Sequence, residues 1–307
     1  MLTVATWNLE NLFRPATGVD PAAYARKLDA LAAMIERIAP DVLAVQEVGD
    51  PDAIEDLLTL LTGDWHSVLS PDPDDRGIRV GFLARHPLGD IEPFGEFPEG
   101  TEPVRVQDDG SATKRMGRGA LKARVTVGGT TVDFVTAHLK SKLLHFAGNR
   151  FAPRDEGERA RYAGYALALR TAEAITVRDR VTRMLEDGDR AVVVLGDLND
   201  EPLAATTQIL LGPPGSELDT GGFDRPDGGD RQRLWNIAPR LPADRAFSRV
   251  FNGRGELIDH ILVSHPLARR LASADTGTTD LPSISTEPRR DEPGSDHSPV
   301  LARFTTP

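Results

Sequence analysis

The 307-residue chain contains no cysteine, and aromatic residues make up only 6% of it. The absence of cysteine excludes disulfides, thiolate metal sites and a cysteine nucleophile. No apolar run approaches the roughly 18 residues of a membrane-spanning helix, so the sequence predicts no membrane span. The N-terminal residues lack the basic and apolar segments of a signal peptide, and we therefore expect a cytoplasmic protein.

The chain is also short of positive charge, since its formal net charge is −11. Only five of its basic residues are lysine. Such an acidic chain is unsuited to wrapping long stretches of duplex by charge alone. Nucleic acid is not excluded as a partner, since divalent cations and a local arginine cluster can offset the global charge. Nearly all basic residues are arginine, whose planar fork suits phosphate oxygens, although a biased composition explains this preference equally well.

Hydrophobic periodicity predicts strands that alternate with helices along the chain. The predicted strands cover residues 2–8, 41–48, 65–69, 78–84, 120–127, 130–138, 191–195, 257–263 and 300–304. The predicted helices cover residues 24–38, 54–61 and 203–211, and residues 157–186 are predicted as one long helix or as two with a break. Residues 94–117 and 212–256 are predicted to be irregular. Because no linker or repeat interrupts this pattern, the sequence predicts one α/β domain over residues 1–307, with two mixed sheets packed face to face and helices outside.

Six segments carry acids, amides or imidazoles at the ends of predicted strands. They are WNLEN at 7–11, QEV at 46–48, TAHLKS at 136–141, GDLN at 196–199, LIDHIL at 257–262 and SDHSP at 295–299. Any one of them is equally well explained as a turn or a solvated strand end. Together they favour a hydrolytic site for a hard metal ion, because such sites collect oxygen and nitrogen ligands from several distant strands.

In their order along the chain, these segments resemble the endonuclease/exonuclease/phosphatase superfamily. That group includes deoxyribonuclease-I-like nucleases, abasic-site endonucleases, bacterial sphingomyelinases, deadenylases and inositol polyphosphate 5-phosphatases. The resemblance extends over residues 3–304. It implies a four-layer α/β sandwich and Mg²⁺-dependent cleavage of a phosphate ester, with Mn²⁺ as a substitute for Mg²⁺.

The resemblance also implies a metal site. Glu47 matches the principal metal carboxylate of the family, and Asn8 and Asp296 match positions that hold or orient the metal. The donor chemistry agrees, because Mg²⁺ prefers a few protein oxygen ligands and completes its octahedron with water. Whether one or two metal ions take part is left open by the sequence.

Five further residues match catalytic positions of the family. Asp197 and Asn199 match the pair that positions the attacking water and a phosphoryl oxygen. His297 matches the imidazole beside the scissile phosphate, Asp259 the carboxylate that orients this imidazole, and His138 a second imidazole that contacts the leaving group or phosphate. Cleavage of a phosphodiester requires an oriented water and positive charge on the phosphoryl oxygens, which these groups supply together with a metal. Either Asp197 or His297 could remove the proton from water.

Basic residues near the predicted catalytic strands are candidates for substrate binding. Lys140, Arg150 and Arg154 follow the strand that ends at His138. Arg118 precedes a hairpin that is predicted from the strands at 120–127 and 130–138 and the two glycines between them. This segment either contacts phosphate or is a solvated charged loop. His260 adjoins Asp259, and strand alternation predicts that it points to the opposite face of the sheet.

The leading functional hypothesis is a Mg²⁺-dependent phosphodiester hydrolase, a nuclease that acts on DNA or RNA. The alternative is a phosphatase or phospholipase C-type hydrolase of inositol phosphates or phospholipid head groups, although a lipid-directed enzyme would want an aromatic-rich loop for membrane contact. A non-catalytic phosphate-binding module is the third hypothesis, and it would require the loss of catalytic residues. The expected partner is a phosphate-ester substrate, nucleic acid or nucleotide, with no protein partner and a monomeric chain.

Overall fold

The computed structural model describes residues 1–16, 21–148, 150–186, 189–213, 218, 220, 227–285 and 293–305. The strands in these residues are β1 (Leu2–Leu12), β2 (Val42–Val48), β3 (His66–Leu69), β4 (Arg79–Ala84), β5 (Gly89–Glu96), β6 (Val104–Arg105), β7 (Ala112–Thr113), β8 (Arg115–Val127), β9 (Thr130–His138), β10 (Val192–Asp197), β11 (Trp235–Asn236), β12 (Arg249–Phe251), β13 (Arg254–Glu256), β14 (Asp259–Val263), β15 (Leu271–Thr276), β16 (Ser283–Ile284) and β17 (Val300–Phe304). The α-helices are α1 (Pro21–Ile38), α2 (Pro51–Leu58), α3 (Glu156–Met184), α4 (Ala205–Leu211) and α5 (His265–Ala268).

Two six-stranded mixed sheets form the centre of the structure. The first sheet has the strand order β15-β17-β1-β2-β4-β3, and β1 lies parallel to β2 and antiparallel to β17. The second has the order β11-β14-β10-β9-β8-β5, and β10 lies parallel to β9 and antiparallel to β14. Small sheets β13-β12-β16 and β6-β7 lie outside them. The predicted hairpin is confirmed as β8 and β9, which pair in antiparallel register.

The sheets pack face to face through one apolar core. Phe82 of the first sheet and Phe134 of the second meet edge to face in this core, with ring centroids 6.3 Å apart. Helices α1 and α2 cover the outer face of the first sheet, and α3 and α4 cover the outer face of the second. The predicted four-layer α/β sandwich is therefore confirmed. Among the described residues, no helix is long and apolar enough to cross a membrane.

The boundaries of the helices follow from local sequence chemistry. Helix α1 buries Leu28, Leu31 and Ile35 at a spacing of three or four residues, as its periodicity predicts. Helix α2 begins at Pro51, earlier than the predicted residue 54, because the side chain of Asp50 caps the helix by accepting a hydrogen bond from the Asp52 amide. The predicted helix at 157–186 forms as the single helix α3.

The prediction of an irregular region at 94–117 is partly wrong, since only residues 97–103, 106–111 and 114 lie outside strands. These residues contain the end of β5, the β6–β7 hairpin and the start of β8. The alternation of β5 is weak because it is an edge strand with mostly exposed side chains, where Pro93 is tolerated. Strand β15, another edge strand, was not predicted. Of the predicted irregular region 212–256, residues 214–217, 219 and 221–226 lie outside the described residues, and the rest holds short strands and 3₁₀ helices.

Candidate active site

Strand alternation places four of the predicted site residues at one end of the gap between the sheets. Asn8, His138, Asp197 and Asp259 are all buried, each at an even spacing from residues of the inter-sheet core. Asp197 lies opposite His138 in the parallel pair β9–β10 and opposite Asp259 in the antiparallel pair β10–β14. Three neighbouring strands therefore deliver an imidazole and two carboxylates to one edge of the second sheet.

The Asp197 carboxylate is the hub of this cluster. Its Oδ2 accepts a hydrogen bond from Asn8 Nδ2 at 3.0 Å and lies 3.3 Å from His138 Nε2. Its Oδ1 accepts a hydrogen bond from the amide of Asn199, whose own side chain donates to the carbonyl of Leu139. The predicted catalytic residues of β9 and β10 and the predicted metal-orienting residue of β1 thus converge on a single carboxylate.

His297 and Asp259 form a buried pair beside that carboxylate. His297 Nδ1 lies 2.6 Å from Asp259 Oδ2, and both side chains are almost fully buried. The backbone around His297 is anchored, because its carbonyl accepts a 2.8 Å hydrogen bond from Trp7 Nε1. Asp259 Oδ1 has no hydrogen-bond partner among the described residues, so this oxygen is available to a ligand.

Burial and neighbouring charges separate the proton affinities of these groups. Burial, and then the charge of Asp259, raise the pKa of Asp197 to about 7. Burial alone would lower the pKa of His297, but Asp259 and Asp296 outweigh it and raise the value to about 10. Burial, and then the charge of Arg118, lower the pKa of His138 well below its usual range. At neutral pH the site therefore combines a charged His297, a neutral His138 and a carboxylate close to its midpoint.

Glu47 lies at the end of β2 in a backbone conformation that few non-glycine residues adopt. Its φ is 60°, and Glu10 and Asn11 at the end of β1 also have positive φ values. Glu47 Oε2 accepts a hydrogen bond from the Asn11 amide at 3.1 Å and lies 4.0 Å from the guanidinium of Arg76. Such unfavourable backbone conformations cluster at functional sites, where the surrounding structure holds them in place.

The segment that carries Asp296 is tied to the end of β1. The amide of Asp296 donates a hydrogen bond to Glu10 Oε2 at 3.0 Å, and Ser295 Oγ donates to the carbonyl of Asn8 at 2.6 Å. Asp296 Oδ1 lies 4.0 Å from His297 Nε2. The structure therefore brings the three predicted metal residues and the predicted catalytic residues to the same end of the sheets.

The donor atoms of this site suit a divalent cation. Glu47 and Asp296 offer carboxylate oxygens, the ligands that Mg²⁺ and Mn²⁺ prefer. A second set consists of Asp197, Asp259 and His297, one ligand atom of each lying within 4.8 Å of the others. Asp259, whose Oδ1 has no hydrogen-bond partner among the described residues, belongs to this second set. The residues present thus fit a metal ion, and they include two separate groups of candidate ligands.

The predicted substrate-binding residues fall into two groups. Arg118 donates to Asp74 at 2.9 Å and lies 3.5 Å from the carbonyl of Leu139, so it adjoins the end of β9. Burial lowers the pKa of Lys140 to about 8. Arg150, in contrast, forms a 2.7 Å ion pair with Glu158 on α3, and the amide of Arg154 donates to the same carboxylate. The second group is occupied in holding the loop that follows β9.

One charged residue beside the site was missed by sequence reasoning. Arg76 donates to Asn11 Oδ1 and has a side chain that is 45% exposed next to Glu47. Asp74 holds its loop, because Asp74 Oδ1 accepts hydrogen bonds from the amides of Arg76 and Ile78. The sequence has Asp74 two residues before Arg76, a pattern that indicates a local Asx turn. It does not indicate that Arg76 lies beside the distant Glu47.

Two buried residues of α3 hold the chain that leaves β9. Glu173 accepts hydrogen bonds from the amides of Lys140 at 2.5 Å and Gly117 at 3.0 Å. Arg170 donates to the carbonyl of Lys140 at 2.9 Å and to Asp200 at 3.1 Å. Both residues lie on one face of the helix, three positions apart, but no sequence pattern distinguished them from ordinary solvated helix residues.

His260 points away from the site, as strand alternation predicts. Its Nε2 lies 2.8 Å from the carbonyl oxygen of Asp200 and its Nδ1 lies 3.1 Å from Asn236 Nδ2, on the opposite side of the second sheet. The ring is buried and both nitrogens have partners. His260 is therefore a structural residue of β14, and the prediction is confirmed.

Comparisons with known proteins agree with this architecture. The model of the Endonuclease/Exonuclease/phosphatase family matches residues 5–297. A comparison with proteins of curated function gives no match.

Three solved structures illustrate the structural similarity. A mannosyl-6-phosphatase of Bacteroides thetaiotaomicron VPI-5482 is 16% identical, with a TM-score of 0.61 and 100% coverage of both chains. Truncated TDP2 of Caenorhabditis elegans is 16% identical, with a TM-score of 0.58, 99% coverage of this chain and 97% of that one. An AP endonuclease of Archaeoglobus fulgidus is 16% identical, with a TM-score of 0.56 and 100% coverage of both chains. At this identity, the similarity to these structures shows a shared fold.

Proposed function

Because the chain belongs to the endonuclease/exonuclease/phosphatase family, whose members are hydrolytic phosphoesterases, we propose that it is a Mg²⁺-dependent phosphodiester hydrolase, a nuclease that acts on DNA or RNA. The observation that carries the proposal is the convergence on Asp197. Asn8 and His138 contact this carboxylate, and the His297–Asp259 pair lies beside it. This arrangement combines a proton acceptor with a fixed cation in a buried site.

The two groups suit two different tasks in the displacement at phosphorus. Asp197 accepts a proton from the attacking water, since a pKa of about 7 matches a general base that works at neutral pH. His297 stays charged at neutral pH and stabilises the negative charge on the phosphoryl oxygens. Asp259 holds the His297 ring through a 2.6 Å hydrogen bond, and Asn199 orients Asp197 through its amide.

Glu47, Asn8 and Asp296 would hold the metal ion. A bound Mg²⁺ supplies further positive charge to a phosphoryl oxygen, and Mn²⁺ can replace it because it accepts the same oxygen ligands. Arg118 and Lys140 adjoin the site and would contact substrate phosphate. The exposed side chain of Arg154 would extend the same surface, whereas the guanidinium of Arg150 is paired with Glu158.

A phosphatase or phospholipase C-type activity on inositol phosphates or phospholipid head groups is the second candidate. It draws support from the shared fold, because one structure of similar fold is a mannosyl-6-phosphatase. A monoester carries one more negative charge than a diester, so it would require more free cationic groups at the site. Asp74 and Glu47 offset part of the charge of Arg118 and Arg76, which favours a singly charged diester over a monoester.

A substrate panel tests the proposal. The chain is incubated with plasmid, single-stranded DNA, RNA, abasic-site DNA, sphingomyelin and inositol phosphates, each with Mg²⁺ or Mn²⁺. We expect cleavage of a nucleic acid that chelation abolishes and that Mg²⁺ restores. Hydrolysis of monoesters or phospholipids alone would favour the second candidate, and metal-independent cleavage would contradict the assignment of the metal site.

A further inference from the structure

The loop that follows β9 has a defined shape although it is polar and lies at the surface. Phe146 and Arg150 exchange two backbone hydrogen bonds of 2.9 and 3.3 Å, which close a tight turn. The buried ring of Phe146 packs against Tyr162 of α3 with ring centroids 5.0 Å apart. Together with the ion pair between Arg150 and Glu158, these contacts fasten the loop to α3. A surface anchored in this way is organised before any ligand binds.

This anchored loop exposes two aromatic rings that are not needed for its own packing. His145 and Phe151 meet edge to face with ring centroids 5.1 Å apart. The side chain of Phe151 is 70% exposed, although Phe is normally buried. The neighbouring Leu143 is also half exposed. The loop therefore presents an apolar aromatic surface to solvent, whereas Phe146 supplies the ring that holds it to the helix.

Positive charge from the candidate active site lies next to this surface. The ammonium group of Lys140 donates to the carbonyl of Leu143 at 2.8 Å, two residues before His145. Burial, and then the charges of Lys140, Arg76 and Arg118, lower the pKa of His145, so the ring lies within the electrostatic reach of all three cations. The aromatic surface thus lies beside the ammonium group of Lys140 at the end of β9.

We propose that His145 and Phe151 form a stacking platform for an unpaired base of single-stranded nucleic acid, while Lys140 binds a phosphate beside it. Aromatic side chains next to a cationic groove are the common means of binding single strands, because every base has a π face and every nucleotide a negative charge. Inositol phosphates lack the π face, and bases stacked within a duplex are inaccessible to a surface ring. The inference rests on the proposed function and narrows its substrate class.

Matched substrates isolate the contribution of the base. One is a single-stranded oligothymidylate, and the other is a strand of equal length with abasic tetrahydrofuran residues, which carries the same charge. The Michaelis constant for each is measured with Mg²⁺ for the parent chain, Phe151→Ala and Phe151→Trp. We expect the parent to have a lower Michaelis constant for the base-bearing strand than for the abasic strand. In Phe151→Ala the ratio of the two Michaelis constants should shrink by about 5- to 100-fold, the range of base–aromatic stacking. Phe151→Trp should keep the preference.

Leu60→Ala is the control, because Leu60 is 45% exposed at the end of α2 and has no role in the platform. It should leave the preference for the base-bearing strand as it is in the parent. If the parent cleaves both strands equally well and Phe151→Ala alters neither, the platform is wrong while the proposed nuclease activity stands. If the parent cleaves neither strand nor any other nucleic acid but hydrolyses another phosphate ester, the proposed nuclease function and the platform both fail.

Discussion

Asn8 Nδ2 donates a 3.0 Å hydrogen bond to Asp197 Oδ2, and this bond joins β1 to the end of β10, two strands that belong to different sheets. It closes one end of the gap between the sheets, below which Gln46 connects the hydroxyls of Thr6 and Thr136 across the same gap. The site therefore lies where the apolar inter-sheet core ends and a buried polar network begins. Such a network restricts the positions of its members when each has a partner.

Substitution of Glu47 tests the metal site. Glu47→Gln keeps the shape of the side chain but removes the charge that attracts a divalent ion, and we expect activity to fall by at least about 100-fold. The stabilisation that Mg²⁺ or Mn²⁺ gives to the folded chain, followed by thermal unfolding, should shrink as well. Asp52→Asn is the control, since Asp52 is an exposed carboxylate paired with Arg14. Equal metal-induced shifts in the parent and Glu47→Gln would refute the assignment.

The roles of Asp197 and His297 can be tested by combining substitutions. If both groups serve one displacement step, the loss in kcat from Asp197→Asn with His297→Ala should be little worse than the larger single loss. The rate constants of the four proteins are compared under saturating Mg²⁺. Losses that multiply in full would show that the two residues act independently.

The separated pKa values of the same two residues predict a bell-shaped pH profile. Asp197 must be ionised to accept a proton, so kcat/KM should rise as the pH increases through an apparent value near 7. His297 must stay protonated, so the rate should fall as the pH approaches 10. A bound cation favours the ionised carboxylate and moves the acidic limb to lower pH. Measurements from pH 5 to 10 at several Mg²⁺ concentrations check this, and a flat profile would contradict it.

Glu173 should act as a positioning residue for the end of β9. Glu173→Gln leaves one acceptor oxygen for the two amides of Gly117 and Lys140, so we expect kcat to fall by at least about tenfold, with little change in KM. Arg178→Lys is the matched control on α3. Arg178 lies further along this helix, and its buried guanidinium donates a hydrogen bond to the carbonyl of Leu210 on α4. Both variants should lose stability, but only Glu173→Gln should lose kcat. Equal losses of kcat would show a general packing effect.

Substitution of Gly196 tests how closely the backbones of β9 and β10 must approach each other beside Asp197. It has a φ of +152°, and a Cβ atom at this position would lie 2.0 Å from the carbonyl oxygen of Ala137. We expect Gly196→Ala to lower the free energy of unfolding by about 2–4 kcal/mol. Gly164→Ala, at an open position of α3, should raise it by about 0.5–1 kcal/mol. Urea unfolding of both variants gives the comparison, and a neutral Gly196→Ala would contradict the close approach.

The sequence alone predicted the layers and most of the strands. Buried apolar residues recur along the chain every two positions in a strand and every 3.6 positions in a helix, so neighbouring residues are enough to show the pattern. Asn8, His138 and Asp197 were predicted at or just after the ends of strands and Asp259 within a strand, and the resemblance of the matched segments to the family indicated that these residues serve one site. The edge strand β5 escaped prediction because its mostly exposed side chains carry no apolar alternation. In the edge strand β15 only Ala274 and Thr276 are buried, so its apolar pattern is too short to indicate a strand.

The tertiary structure decided which side chains share a partner. The positions of Arg76 beside Glu47 and of Glu173 beneath Lys140 depend on the packing of a loop and a helix against distant strands. Arg150 illustrates the same limit. Its position in the sequence indicated a contact with substrate, whereas in the structure its guanidinium pairs with Glu158. Local sequence determines whether a residue is helical, extended or buried, but an ion pair depends on two chain segments meeting in space, and only the complete fold sets that distance.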